Sequence, residues 1–589
     1  MIYTQLKEKY AAELAKSIAA FNLISIVRLG LVIAFLIVGY YYLVNYNAVW
    51  LFIGLAIAAV FAVLIYFHDK IRRKRDLETA LLNLNKEEES FVKRESLPFE
   101  NGIEFSEDNH PYAYDIDIFG QSSLFQNLNR CGTVPGKAKL AGWLKAALSS
   151  EEILQNQEAV EELRNKLDFR QKLLAVARMN KDSKVLYDNI LKWVKMKNPD
   201  YSPIVRILSF VMPLALFGVI IAYFSGGPES LSNVITYLFL ANLGILYSQL
   251  KKIQQQIVSA DRVREVIRQY GMIIHEIENE SFQSEKLKAL QAKLQTGEGS
   301  SGLQLQKLAS LFNSLEAIQN FLGAVIFNGL FLYHLHTLYA LLQWKRKYSE
   351  KINDWLDVIA ELEALNSFAG LAYNNPNYAF PEINSDNKIV FEELGHPLID
   401  PQKRVDNDVD FSNNPFILLT GSNMSGKSTF LRALGVNMVL AAAGSVVCAK
   451  KATVHPMPLY VSMRLSDSLA DSESYFYAEI KRLHEIMSHL DGQRAFVLLD
   501  EILRGTNSDD KRNGTIGVVK KMVERNAVGA IATHDLEVCL TTNEYPNYLC
   551  NKCFEVEILN DNLHFDYKLK TGVSKNKSAT FLMEKMGII

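Results

Sequence analysis

Residues 420–430 read TGSNMSGKSTF, and Gly421 to Ser428 fit the pattern G-x-x-x-x-G-K-[ST]. Gly421 and Gly426 let the backbone curl so that its N–H groups face a phosphate chain. Lys427 can then reach the β- and γ-phosphates, and the Ser428 hydroxyl can ligate Mg²⁺. The flanks supply the context such a loop needs. PFILLT at 415–420 is a short apolar run suited to a buried strand, and FLRALGVNMVLAAAG at 430–444 has helical length and composition. Strand, loop and helix together predict an α/β nucleotide-binding domain in the last third of the chain.

Two further stretches end in chemistry. AFVLLDE at 495–501 reads as a buried strand finishing in two carboxylates, where a doubly wound sheet presents residues to a ligand. Asp500 is expected to hold Mg²⁺ through water, and Glu501 to polarise the attacking water as general base. AVGAIATHD at 527–535 predicts another strand, over 527–532, with Thr533 and His534 at its carboxyl end, where the histidine can contact a γ-phosphate. Two acidic residues that merely cap a turn would leave the apolar run before them unexplained.

The totals bound the rest. With 589 residues the chain exceeds one compact core, and three or four folded units are expected. Lys and Arg number 63 against 65 Asp and Glu, so any contact with nucleic acid or an acidic surface has to be local. Five scattered cysteines suit a reducing compartment. Cys550 and Cys553 form a lone C-x-x-C with no second pair at zinc spacing, and the following FEVEI alternates like a strand.

The N-terminal region has a different solvent. Residues 29–67 contain no Asp, Glu, Lys, Arg or His, which is long enough for two spans of about 20 residues turning at Asn45–Asn47. A cleavable signal peptide would have a much shorter apolar run. A second pair, 207–225 and 231–250, is separated by GGPES. Lys7, Lys9 and Lys16, then KIRRKR at 70–75, then Lys192, Lys195 and Lys197, then Lys251 and Lys252 flank the four spans, and neither connecting turn carries Lys or Arg. By the positive-inside tendency both termini and the large soluble segments are expected in the cytoplasm, at the inner face of the cell membrane. The other reading is two buried hairpins of a helical core. A fifth apolar stretch, 317–344, is broken by Asn320, Asn328, His334, His336 and Gln343, and is expected to be a buried core helix. KIRRKR, beside a span, reads as a topology signal or an anionic-lipid contact rather than a DNA site.

Taken together the motifs resemble the MutS family of DNA mismatch-repair ATPases. The family loop is G-P-N-M-G-G-K-S-T; here Asn423, Met424, Gly426, Lys427, Ser428 and Thr429 match, while Ser422 and Ser425 replace Pro and Gly. DEILRGTNSDD from Asp500 resembles the family's D-E-x-x-R-G-T, including Arg504, Gly505 and Thr506. DSLADSESYFYAEI at 467–480 is similar to its D-D-L-A-x-G-x-S-T-F segment, with Ser472 and Tyr475 in place of Gly and Thr. Ser474 falls on the serine that, in the family, reaches across a dimer to the partner's ATP. KTGVSKNKSATFLMEKMGI near the C-terminus resembles the closing helices through which the ATPase domains associate. Residues 117–144 and 380–399 are similar to the start of the family's helical core and to its approach to the ATPase domain.

The resemblance implies an α/β P-loop ATPase domain of ABC/MutS type at the C-terminus, preceded by an α-helical core and lever domain with two inserted transmembrane helical hairpins. The expected division is a cytoplasmic segment 1–20, a first hairpin 21–67, the start of the core 68–200, a second hairpin 201–250, the rest of the core and lever 251–378, and the ATPase domain with dimerisation helices 379–589. Implied with it are ATP and Mg²⁺, a homodimer with composite sites, and DNA recognised by structure rather than by mismatch. The N-terminal domain with a Phe-x-Glu wedge that reads mismatches has no counterpart, its place being taken by the first hairpin. A membrane-remodelling or transporter-like ATPase is the alternative, and a scaffold with an inactive nucleotide site a third. Against the transporter stand spans without Asp, Glu or Lys and the missing L-S-G-G-Q signature.

Overall fold

The computed structural model describes all residues except 1, 108, 181, 201, 258–262, 297–298, 423, 465–474, 560–561, 575–582, 584–587 and 589. Two helices open the chain, α1 (Ile2–Asn45) and α2 (Ala48–Val92). They turn at the polar interruption the sequence marks: Tyr46 takes a left-handed conformation, φ 48°, and the Asn47 side chain caps α2 by accepting from Val49 N. With a rise of 1.5 Å per residue, 44 and 45 residues extend about 66 Å, more than twice the ~30 Å hydrocarbon core of a bilayer. Both are long and apolar enough to cross a membrane. Leu23, Ile26, Leu36 and Phe52 point outward from them, each more than 60% exposed, an apolar surface of the kind that marks contact with a membrane or another protein.

The polar ends of the pair form a stalk against the helical core. Thr4 and Lys7 of α1 reach Glu89 of α2, Tyr3 donates to Asn374 at 2.8 Å, and the amides of Asn85 and Gln171 exchange hydrogen bonds at 2.9 and 3.2 Å. Glu88 meets Arg130 in a buried pair whose guanidinium lies over Phe99. A second apolar pair follows, α3 (Pro203–Phe224) and α4 (Leu231–Gln256), again long enough to span. After it come α5 (Val263–Asn279) and α6 (Ser301–Glu316), packed on each other.

The expectation of one buried helix over 317–344 is corrected. Residues 321–348 form α7 (Phe321–Phe331) and α8 (Tyr333–Tyr348), which meet at Leu332, φ 49°; α7 lies at 83° to the helical run Tyr333–Asn374 that α8 begins. The polar residues that looked like interruptions of a core helix build this corner. Asn320 caps α7 by accepting from Gly323 N; Asn328 accepts from His334 N at 3.0 Å and donates to Ala324 O. Phe321, Leu322 and Phe327 of α7 are exposed, whereas α8 buries most of its apolar residues. Where α7 touches α4, Gly329 is required: a Cβ there would lie 2.1 Å from the Phe239 ring, and its carbonyl accepts from Asn242 at 2.7 Å.

The central helix of the core is α9 (Ile352–Asn374), buried around much of its circumference, against which Val134–Lys145 and Ser150–Arg164 pack. Its Glu363 accepts from Gly132 N at 2.8 Å, Thr133 N at 3.2 Å and the Thr133 hydroxyl.

Beyond it lies a six-stranded sheet of β1 (Phe416–Gly421), β2 (Leu459–Ser462), β3 (Phe496–Asp500), β4 (Val528–Ala532), β5 (Leu549–Leu559) and β6 (Asn562–Thr571). The order is β6-β5-β1-β4-β3-β2, parallel except for the β5–β6 hairpin. The continuous apolar runs of β1 and β3 follow from burial on both faces. Ile417, Leu419 and Leu498 face the core shared with the helical region, while Phe416, Leu418, Val497 and Leu499 face a second core with Ile486, Val519 and Met522. Cys550 and Cys553 lie on β5 itself, three residues apart and therefore on opposite faces.

Burial raises the Glu363 carboxyl to about 6, against an ordinary value of 4.5. The folded state thus holds this proton more tightly than the unfolded chain, and ionisation costs stability as pH rises from about 4.5 to 6. Thermal unfolding of wild type and Glu363→Gln at pH 4.5 and pH 7 is expected to show the wild type losing stability relative to the variant as pH rises. Parallel curves would show that Glu363 does not titrate as described.

Candidate nucleotide site

Three strand ends meet because β4 lies between β1 and β3. Thr533 N donates to Leu419 O and Glu501 N to Ala532 O, both at 3.0 Å, so the residues that follow each strand come out at one level. This brings together the loop 421–429, the Asp500–Glu501 pair and His534. The helix α10 (Lys427–Ala442) begins at the loop, with Gly426 at φ 102° as the residue before it. A left-handed bend there, under the Tyr567 ring, is a glycine position. Gly421 is needed for closeness, since a Cβ would meet Ser425 Oγ at 2.6 Å and Phe554 O at 2.9 Å.

The Lys427 ammonium donates to Gly421 O at 2.9 Å and Ser422 O at 3.0 Å, and lies 3.4 Å from His534 Nε2. Burial pushes it below the ordinary lysine value, with Glu501 and Asp500 opposing. Ser428 Oγ donates to Asp500 Oδ2 at 2.5 Å, joining the two side chains read as Mg²⁺ ligands. Glu501 Oε1 meets His534 Nε2 at 2.5 Å. That hydrogen bond holds the Glu501 carboxyl down at about 2, so it is ionised at every physiological pH. Met424 and Thr429 lie exposed on the loop. Asn423 and Ser474 lie outside the described residues, as does most of the stretch 570–588 expected to form the closing helices, namely 575–582 and 584–587.

The donor set fits a Mg²⁺–phosphate ligand. The hydroxyls of Ser422 and Ser425 and the Oδ1 of Asp500 are buried with no hydrogen-bond partner among the described residues, an arrangement that is costly unless a ligand engages them. Ser428 and Asp500 are the groups that would hold the metal.

Several residues at this site carried no signal in the sequence. Beside the loop is a cavity of about 570 Å³, of nucleoside size, walled by His396, Ile399, Arg404, Phe554 and Tyr567. Burial lowers His396 to about 4, which keeps it a neutral imidazole. Glu479 accepts from Leu503 N at 2.6 Å and Arg504 N at 3.1 Å, and Arg504 donates back to the carbonyls of Glu501 and Asp500. These bonds hold Glu501 at φ 48° and Leu503 at φ 61°, backbone angles that non-glycine residues seldom adopt. Asp115 Oδ1 accepts from Met463 N at 2.8 Å and Arg464 N at 2.7 Å, tying the helical region to the residues just before 465–474.

A sequence model of MutS domain V matches residues 417–587. The chain is 32% identical over 234 residues to the DNA mismatch repair protein MutS of Haloquadratum walsbyi, covering 38% of this chain and 23% of that protein. It is 32% identical over 203 residues to MutS of Methanosarcina barkeri, covering 33% and 22%, and 28% identical over 232 residues to MutS of Clostridium kluyveri, covering 38% and 26%. Residues 417–587 thus carry a MutS domain V. The match spans about a quarter of the length of these curated relatives. The domain V model falls on residues 417–587, beyond the four long apolar helices, all of which end by Gln256.

Tyr567 and the loop residues Ser425 to Thr429 line one cavity, which puts the ring beside any nucleoside whose phosphates occupy the loop. Stacking of a base on an aromatic ring is worth about 1–3 kcal/mol, so Tyr567→Ala is expected to weaken ATP binding roughly tenfold while leaving tripolyphosphate binding unchanged. Equal loss for both ligands would assign Tyr567 to the loop's shape instead of to the base.

Proposed function

We propose that this protein is a membrane-anchored MutS-type ATPase that works as a homodimer and acts on DNA. The observation that carries the reading is the convergence of Lys427, the Ser428–Asp500 pair and the Glu501–His534 pair beside a nucleoside-sized cavity. In this reading ATP enters with its base in the cavity and its phosphates in the loop. Lys427 exchanges its carbonyl partners for phosphate oxygens, and the Ser422 and Ser425 hydroxyls gain acceptors. Glu501, already ionised, takes a proton from the water that attacks the γ-phosphorus as the bond to the bridging oxygen breaks. His534 keeps the carboxylate aimed and contacts the γ-phosphate. Bound Mg²⁺ would neutralise the developing phosphate charge at Ser428 and Asp500.

The dimer part of the proposal rests on the family resemblance: Ser474 of one chain completes the partner's site, and ATP clamps the two domains while hydrolysis releases them. The helical region would then grip DNA, selected by structure rather than by mismatch. Four helices of spanning length support placement in the cell membrane with the nucleotide site on the cytoplasmic side.

The test is the ATPase rate of detergent-solubilised protein with homoduplex, mismatched, branched or single-stranded DNA. Glu501→Gln is expected to bind ATP normally and to turn over about 10²–10⁴-fold more slowly, and Lys427→Ala to bind ATP weakly. Normal turnover by either variant would sink the site assignment. Stimulation by one DNA form names the substrate, whereas a rate indifferent to DNA and responsive to lipid favours a membrane-remodelling or transporter-like ATPase.

A further inference from the structure

A second cavity, also about 570 Å³, lies between α2, α5 and α6. Arg72 and Arg73 reach it from α2, Arg264 and Arg268 from α5, and Asn313 from α6, with Glu265 on its wall. Arg72, Arg73 and Arg264 are held in place by neighbours. Asp69 accepts from Nη2 of Arg72 and of Arg73, each at 2.5 Å, and Arg264 Nη1 donates to Asn313 at 2.6 Å and Glu316 at 3.1 Å. These bonds engage one terminal nitrogen of the Arg72, Arg73 and Arg264 guanidiniums, a group with five N–H donors in a fork that matches phosphate.

The position of the cavity says which phosphate. Arg72 follows Phe67, the last residue of the charge-free run, by five residues, or about 7.5 Å along a helix. The headgroup layer on each side of a hydrocarbon core is about 5–8 Å thick. A second wall also adjoins an apolar segment: α6 ends at Glu316, just before α7 exposes Phe321 and Leu322. Two of the three walls thus lie next to apolar surroundings. Its volume suits a headgroup and is far too small for a duplex.

We propose that this cavity binds the phosphate headgroup of an anionic phospholipid of the leaflet facing the helical core, and so fixes the core against the membrane. The inference rests on the membrane placement proposed above and adds to it a defined lipid site, built by residues from three helices rather than by the KIRRKR run alone.

The experiment uses the full-length protein in neutral detergent and measures affinity for dioctanoyl phosphatidylglycerol, dioctanoyl phosphatidylcholine and inorganic phosphate, with duplex DNA as competitor. Wild type is expected to prefer phosphatidylglycerol. The double variant Arg264→Ala/Arg268→Ala, which leaves the apolar helices untouched, should lose about 25-fold, since a basic residue near a membrane surface is worth on the order of fivefold. Glu265→Lys, at an exposed position, should bind more tightly, so the proposal does not depend on the arginine variant folding. Unchanged affinity in both variants overturns the site. Displacement of the lipid by inorganic phosphate or duplex at comparable concentration overturns its assignment to lipid. Recovery of the protein in soluble form without detergent refutes the membrane placement itself, while a detergent-dependent protein indifferent to phosphatidylglycerol refutes only the lipid site.

Discussion

The nucleotide site depends on one arrangement, the parallel ladder in which β4 is bonded to β1 on one side and β3 on the other. In a parallel sheet all strands present the same end to the same edge, so three loops far apart in sequence open side by side. The register fixes their level: Ala532 sits opposite both Leu419 and Asp500. A slip of one residue would turn every strand side chain to the other face and separate Glu501 from His534. The two cores that bury Ile417 with Leu419 and Phe416 with Leu418 make such a slip expensive. The unusual backbone angles of Met424, Glu501 and Leu503 can persist only against so well determined a frame.

A chain of packed and hydrogen-bonded groups leads from the apolar helices to this frame. Helix α2 is continuous from Ala48 to Val92, so its apolar half and its Glu88 belong to one rod. Glu88 binds Arg130, and the adjoining Gly132 and Thr133 are held by Glu363 of α9. Gly136, on the next helix, approaches Glu363 so closely that a Cβ would lie 2.0 Å from its carboxylate. At the other end, Asp115 holds the backbone at Met463 and Arg464, and Asp117 pairs with Arg464 and with Arg432 of α10. Contiguity of this kind is the physical precondition for coupling between distant sites, and double-mutant cycles across Glu88–Arg130 and Asp115–Arg464 are the means of measuring it.

What could be read in the sequence followed from solvent and period. PFILLT and AFVLLDE were legible as strands because both faces are buried, which leaves no polar alternation to confuse the reading. The α1–α2 turn was legible because Asn45 to Asn47 are the polar break in a run that is otherwise apolar. The α7–α8 corner was not, since Asn328 and His334 within an apolar stretch look the same whether they sit in a core or cap a bend. The cavity beside the loop was invisible for a different reason. His396, Arg404 and Tyr567 come from segments that only the fold brings together, and no spacing in the chain links them. Glu479 lay in plain view within a quoted motif, but its bonds to Leu503 N and Arg504 N depend on where the helix Tyr475–Leu490 lands.

The two departures from the family loop have a structural account. Replacing glycine by Ser425 would strain a loop that needed a left-handed angle there, but Ser425 is not among the residues with positive φ, and neither is Ser422. The left-handed bends fall on Met424 and Gly426 instead. What the position does require is a small side chain, because Gly421 packs against it. Serine meets that limit and adds an O–H, buried and without a partner among the described residues, at the point where the loop closes. Ser422 adds a second. Two hydroxyls that cost free energy when unpaired are stabilised by any acceptor that reaches them, so the substitutions would tie the stability of the loop to a bound anion instead of weakening the cradle.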